Sequence, residues 1–191
     1  MGGMQAFEWA VCYPGFFKKV IAIASSPRLA AYDIVLWETS LRILSTYVES
    51  GSPAASSALF GLSILVGNSP DYHARLTPRD SVPGILARMD GIPLPTPIAH
   101  NLASQIRAMV DHDVGAPYGD SLERAATRVQ ADVLVIVTVQ DHVVTPGPAL
   151  EFAEMLGAET VILTNDCGHN GLRCDEEELS QASLRFLAGE D

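Results

Sequence analysis

Basic side chains are scarce in this chain. Lys and Arg number 12 against 23 Asp and Glu, giving a formal net charge of −11 in 191 residues. A surface of that balance repels phosphate backbones and anionic headgroups, which excludes nonspecific nucleic-acid or membrane-surface binding. Long apolar runs are lacking as well: the longest, Val20–Ala24 and Val133–Val139, fall far short of the ~20 residues that cross a bilayer. Met1–Ala10 has no basic cluster, and its apolar residues are broken by Gln5 and Glu8, unlike a secretory leader, so a cytoplasmic location is expected. Cysteine is sparse. Cys12, Cys167 and Cys174 make an odd number without framework spacing, which suits a reducing compartment, whereas pairing of Cys167 with Cys174 would accompany export of a longer precursor.

What is present describes one globular domain. Hydrophobic residues make up 48% and charged residues 18%, and a chain this long buries roughly 70% of its unfolded surface without needing a disulfide or metal staple. Strand-like and helix-like runs alternate. A helix is expected from about Gly3 to Tyr13, stopped by Pro14, followed by a strand Val20–Ala24 whose unbroken apolar residues imply burial on both faces. The middle, Pro27–Asp120, has Pro/Gly/Ser-rich breaks at Gly51–Ser57, Gly67–Pro70 and Gly91–Pro97, and shows helical periodicity only, clearest over Ala99–Asp111. It reads as a helical insertion.

The last third is better punctuated. Asp120 or Ser121 caps a short helix ending near Val129, and strand Val133–Val139 follows. Pro148 opens a helix that Gly157 closes, then come strand Thr160–Thr164 and a helix Glu176–Ala188 ending at Gly189. The alternation predicts an α/β fold with a parallel sheet. Sites on such sheets lie beyond the strands' carboxyl ends. Those places hold Ser25-Ser26-Pro27, Gln140-Asp141-His142 and Asn165 through Asn170. An acid after one strand and a histidine after the next, Asp141 and His169, match the tail of the order Ser…Asp…His found in α/β-hydrolases.

The missing serine directs attention to the start of the chain. Met1-Gly2-Gly3-Met4-Gln5-Ala6, with Trp9-Ala10 close behind, resembles the residues just after the nucleophile in the homoserine O-acetyltransferase family, whose elbow reads G-x-S-M-G-G-M-Q-A. The likeness extends through Val20–Ala24 and returns at Leu134–Pro146 and Cys167-Gly168-His169. It covers the carboxyl-terminal portion of such a protein, beginning just after the nucleophile. The resemblance implies one incomplete α/β-hydrolase domain over residues 1–191, with residues 27–120 as its lid. It implies His169 as base, Asp141 as its orienting acid and the Met1 nitrogen at the oxyanion site, where an amine stands in place of an amide. Asn170 falls at the substrate subsite, where the family typically carries an aspartate suited to the substrate amine. Arg42, in Glu38–Arg42, lies near but out of register with the family's arginine-containing run for the substrate carboxylate.

The implied activity is transfer of an acyl group from acetyl-CoA or another acyl-CoA, as cosubstrate rather than bound cofactor, to an alcohol acceptor through an acyl-enzyme. Ester hydrolysis in a longer form shares that intermediate. On its own the chain lacks the serine and is expected to be inactive, which leaves a non-catalytic role or a binding subunit as the alternative. The unpaired edge of Val20–Ala24 would then invite self-association.

Other residues offer rival chemistry. Cys167, His169 and Cys174, with Asp166 or Asp175, supply zinc-type ligands in one loop, but without the usual paired spacings, and no metal is expected. Buried thiols, or a disulfide in an exported relative, explain the cysteines more simply. Ser25 and Ser26 lack the glycines of an elbow, and Pro27 restricts Ser26 to extended backbone. His73, His100, His112 and His142 have no motif and read as surface or loop residues.

Overall fold

The computed structural model describes residues 1–90 and 92–189. Gly91, first residue of the expected Gly91–Pro97 break, lies outside them. In chain order the elements are α1 (Gly2–Cys12), β1 (Lys19–Ile23), α2 (Ala31–Ser50), α3 (Pro53–Gly67), α4 (Pro70–Leu76), α5 (Val82–Met89), α6 (Thr96–Val110), α7 (Leu122–Ala126), β2 (Asp132–Thr138), α8 (Gly147–Leu156), β3 (Glu159–Leu163), α9 (Gly171–Cys174) and α10 (Glu176–Ala188).

The three strands form a parallel sheet in the order β1-β2-β3, with Val20 opposite Val133 and Val137 opposite Ile162. Every residue of β2 from Val133 to Thr138 is buried, because helices cover both of its faces. The alternation of a strand sorts its side chains. Val133, Val135 and Val137 enter a core with Phe7 and Val11 of α1 and Phe152 of α8. Leu134 and Ile136 enter another with Leu163 of β3 and Phe186 of α10. The expectation that β1 is buried on both faces needs correction: Val20 and Ala22 are buried, but Lys19, Ile21 and Ile23 only partly so. As an edge strand β1 has α1 packed on one face, while Ile21 and Ile23 reach only the margin of the α10 cluster on the other.

Residues 31–110 carry α2 to α6; of these α2, α3 and α6 build a third core that includes Leu44, Leu59, Ala103 and Ile106 and receives Met4 from α1. The expected breaks here are shorter than their composition suggests. Pro53 opens α3, Pro70 opens α4 and Pro97 stands in the first turn of α6. A proline at that place loses nothing, since the first N–H groups of a helix lack intrahelical acceptors in any case. Near the sheet, Ser121 caps α7 by accepting from the Arg124 N–H, and Gly157 and Gly189 close α8 and α10.

Candidate active site

The carboxyl ends of β2 and β3 place two side chains together. Asp141 follows β2 in a tight turn and is 3% exposed. Its Oδ1 accepts the backbone N–H groups of Val143 and Val144 at 2.8 and 2.9 Å, and its Oδ2 lies 2.8 Å from His169 Nδ1. A buried carboxylate is costly unless charge-assisted hydrogen bonds replace its water, and here three donors do so. Because an ionised carboxylate only accepts, Nδ1 carries the proton. The basic lone pair is thereby placed on Nε2, which makes no hydrogen bond among the described residues. The His169 side chain is 36% exposed. The arrangement can take a proton from a hydroxyl at Nε2 while Asp141 stabilises the resulting imidazolium.

His169 sits in a 3-10 turn, Gly168–Asn170, held by close backbone packing. Gly168 has φ +65, and a Cβ there would stand 2.8 Å from Ser69 N and 2.9 Å from Asn68 Cα. Gly171 lies equally close to the end of β2, where a Cβ would meet Thr138 Cγ2 at 2.6 Å. Gly168→Ala is therefore expected to destabilise the protein by about 2–4 kcal/mol, combining left-handed strain with overpacking against backbone. Denaturant unfolding measures this, and a loss below about 0.5 kcal/mol would contradict the packing described.

The helical region also grips this loop. Asn68 Nδ2 donates to Cys167 O at 3.0 Å, Ser69 Oγ donates to Asp166 O, and Asn170 Nδ2 donates to Gly67 O at 3.0 Å. Arg75 binds Asp166 through two bonds of 2.7 and 2.6 Å. From the β3 side, Asn165 accepts the Cys167 N–H and donates to Gly171 O and Asp175. Sequence reasoning placed Asn165 at the strand end without a role and missed Asn68, Ser69 and Arg75 as partners of this loop. The Gly67–Pro70 break marks the place, but nothing in it names a partner about 100 residues away.

The Arg75 guanidinium holds the Asp166 carboxyl below its ordinary range. Its stabilising effect is thus present above that range and lost as the pH falls through the lowered value. Arg75→Ala is expected to return the Asp166 titration upward toward the ordinary carboxylate value. Carboxyl carbon NMR reads this directly, and an unchanged midpoint would show that the pair does not persist in solution.

For the cysteines the disulfide alternative is the one formed, and His112 is a loop residue but not a surface one. Cys167 and Cys174 form a disulfide that brackets His169, so they are neither reduced thiols nor thiolate ligands. No group of three metal-binding side chains occurs among the described residues. The loop folds back so that Cα atoms seven positions apart come within 6.6 Å, a closeness that spacing alone does not reveal. His112 is not a surface residue: its side chain is 11% exposed, its Nε2 is unpartnered and burial pushes its pKa down.

The remaining candidates lie as follows. Ser25 and Ser26 are buried, and Ser26 Oγ donates to Arg28 O; neither bonds to His169. Arg42 is exposed on α2 beside Glu38. His73 bonds within the helical region, His100 is exposed and His142 lies near Tyr32. Met1 caps α1, its carbonyl accepting from Gln5 N at 3.1 Å, and burial lowers the pKa of its amine. No hydrogen bond joins Met1 to the Asp141–His169 pair among the described residues.

No family model matches the chain. It is 27% identical to a homoserine O-acetyltransferase of Clavibacter michiganensis, in an alignment covering 98% of this chain and 56% of that protein. The solved acetyl esterase MekB superposes over 96% of this chain with a TM-score of 0.77 and 26% identity. The chain is similar to homoserine O-acetyltransferases along its length and has the α/β-hydrolase fold. A solved homoserine O-acetyltransferase from Bacillus anthracis shares that fold, with a TM-score of 0.66 at 17% identity over 94% of the chain. An ethyl acetate hydrolase of Pseudomonas veronii is 34% identical over 76 residues, which is 40% of this chain and 20% of that protein. The chain spans 58% of the acetyl esterase's length, and its three strands form part of an α/β-hydrolase sheet. The relatives themselves are named as acyltransferases and ester hydrolases.

Proposed function

We propose that Asp141 and His169 are the acid and base of a Ser-His-Asp triad whose serine belongs to a segment ahead of Met1. The reading is carried by one observation, the 2.8 Å contact between Asp141 Oδ2 and His169 Nδ1 at adjacent strand ends. In this mechanism His169 Nε2 takes the serine proton as the hydroxyl attacks the acyl carbonyl. The imidazolium then returns the proton to the departing group, and the acyl-enzyme passes its acyl group to an acceptor. The first backbone nitrogens of α1 provide the positive end of a helix for the oxyanion, with the Met1 nitrogen contributing as an amide once chain precedes it. The open edge of β1, beside exposed Trp9, Phe16 and Phe17, offers such a segment a place to pair. Residues 27–120 act as the lid.

The acyl donor is an acyl-CoA if the acceptor is an alcohol. Ester hydrolysis is the second reading, favoured by the likeness to an ethyl acetate hydrolase and an acetyl esterase. Asn170 also favours it: the side chain is uncharged, and its Nδ2 donates to Gly67 O, so it supplies no negative charge to pair with a substrate ammonium.

The test joins the chain to an amino-terminal segment ending in Gly-x-Ser and measures acetyl release from an activated ester with and without an alcohol acceptor. Faster turnover with acceptor, accompanied by the transfer product, identifies a transferase; indifference to acceptor identifies a hydrolase. The 191-residue chain alone, with Ser25 and Ser26 buried, is expected to resist fluorophosphonate labelling. A folded, extended protein without turnover would overturn the catalytic reading in favour of a binding role.

No helix among the described residues is long and apolar enough to cross a membrane. A cytoplasmic setting is retained as part of the proposal. The Cys167–Cys174 bond favours an oxidising compartment instead, and counting free thiols on protein isolated under alkylating conditions decides between them.

A further inference from the structure

Three consecutive amides follow Asp141 in the turn after β2, and two carboxylates share them. The N–H groups of Val143 and Val144 go to Asp141 Oδ1, but that of Thr145 goes to Asp33 Oδ1 at 3.1 Å. The Thr145 hydroxyl donates to Asp33 Oδ2 at 3.0 Å, and the same oxygen accepts the Ala30 N–H at 3.2 Å. Asp33 lies in the first turn of α2, far from Asp141 in sequence, and is 0% exposed. A carboxylate that deep is expensive, and its negative neighbour Asp141 adds to the cost; burial first and Asp141 last push its pKa up, against the bonds from Thr145 and Ala30.

We infer that Asp33 is a positioning residue for Asp141: by claiming both donors of Thr145, it leaves Asp141 Oδ1 to Val143 and Val144 alone and so sets the carboxylate plane that presents Oδ2 to His169. Without Asp33 the Thr145 N–H and hydroxyl are orphaned. Asp141 already accepts the two preceding amides and is an acceptor of the same chemistry in the same turn, so its rotation toward them would withdraw Oδ2 from the imidazole. The same contact fixes the root of the helical region to the acid-bearing turn, because Asp33 belongs to the first of those helices. The catalytic meaning of this role rests on the triad reading, but the geometric claim does not.

The experiment therefore needs no substrate. In the 191-residue protein, the Nδ1 proton of His169 held against Asp141 is observed by imidazole-nitrogen NMR, and its exchange with solvent is measured. Asp33→Ala and Thr145→Val are each expected to speed that exchange by about tenfold or more, the scale of one lost buried hydrogen bond. Backbone signals of α10, remote from the turn, should stay in place, and Thr145→Ser, which keeps the hydroxyl, should restore the slow exchange. Unchanged exchange in folded Thr145→Val and Asp33→Ala would overturn the proposal. Should Asp33→Ala fail to fold, Thr145→Val alone decides the matter in the same way. Failure of the triad reading would show elsewhere, as an extended protein without turnover whose His169 proton is still protected.

Discussion

His169→Ala, in a protein carrying a Gly-x-Ser turn ahead of Met1, is expected to lower kcat on an activated acetyl ester by on the order of 10^4-fold or more. The serine would lose the base that the 2.8 Å Asp141–His169 pair offers it. Asp141→Asn should fall in the same range for a different reason. An asparagine amide facing Nδ1 offers a donor where the native carboxylate accepts at 2.8 Å, so the ring is driven to the tautomer that protonates Nε2 and removes the lone pair that takes the serine proton. The double variant should be scarcely worse than either single one, because the two residues act as a unit. Burst kinetics with a chromogenic ester follow the acyl-enzyme directly. Retention of the burst in His169→Ala would remove His169 from the mechanism. Additive losses in the double variant would mean that Asp141 acts through something other than the imidazole.

Phe152→Ala is expected to cost about 3–5 kcal/mol of stability, the range for truncating a fully buried aromatic ring. Phe152 of α8 is 0% exposed and meets Phe7 of α1 edge-on at a centroid distance of 5.5 Å, in the core that also takes Val133, Val135 and Val137 of β2. Its removal opens a hole between two helices and the sheet, and α1 cannot easily close it because Met4 is committed to the helical core on its other side. Denaturant midpoints at unchanged slope give the loss. A change below about 1 kcal/mol would mean that α1 and α8 collapse together, and that the amino-terminal helix is less firmly seated than its burial indicates.

The parts of the fold legible in the sequence were those that local chemistry dictates. The β-branched run Val133–Val139, the proline-opened helix closed by Gly157, and the helix Glu176–Ala188 ending at Gly189 appear within a residue or two of their expected bounds. Each is specified by neighbours along the chain. Asp141 and His169 were legible for a related reason: a parallel sheet puts its useful residues at strand ends, so locating two strands located two side chains. The burial of β1 was misjudged because an apolar run says what a strand tolerates, and the coverage it receives depends on which helices happen to lie above it.

Around the site the balance reverses. Asp33 and Arg75 carried no signal in the sequence and Asn68 and Ser69 only marked a break, yet all four hold the turns that carry Asp141 and His169. His112 read as a surface or loop histidine; it is in a loop, but one that the fold packs beside Glu8 of α1. The cysteines carried no decisive spacing, and only the fold of residues 165–175 brought Cys167 to Cys174.

The sequence by itself determined the α/β class, the strand and helix order, and the acid and histidine at successive strand ends, because propensity, capping and strand alternation act over a few residues. Only the tertiary structure decided the 2.8 Å meeting of Asp141 with His169, the disulfide around the histidine, and the bonds from residues 33 and 67–75 that hold both turns. Those contacts join residues between 7 and 112 positions apart, and no local rule reaches across a chain whose path through space is set by how three hydrophobic cores pack together.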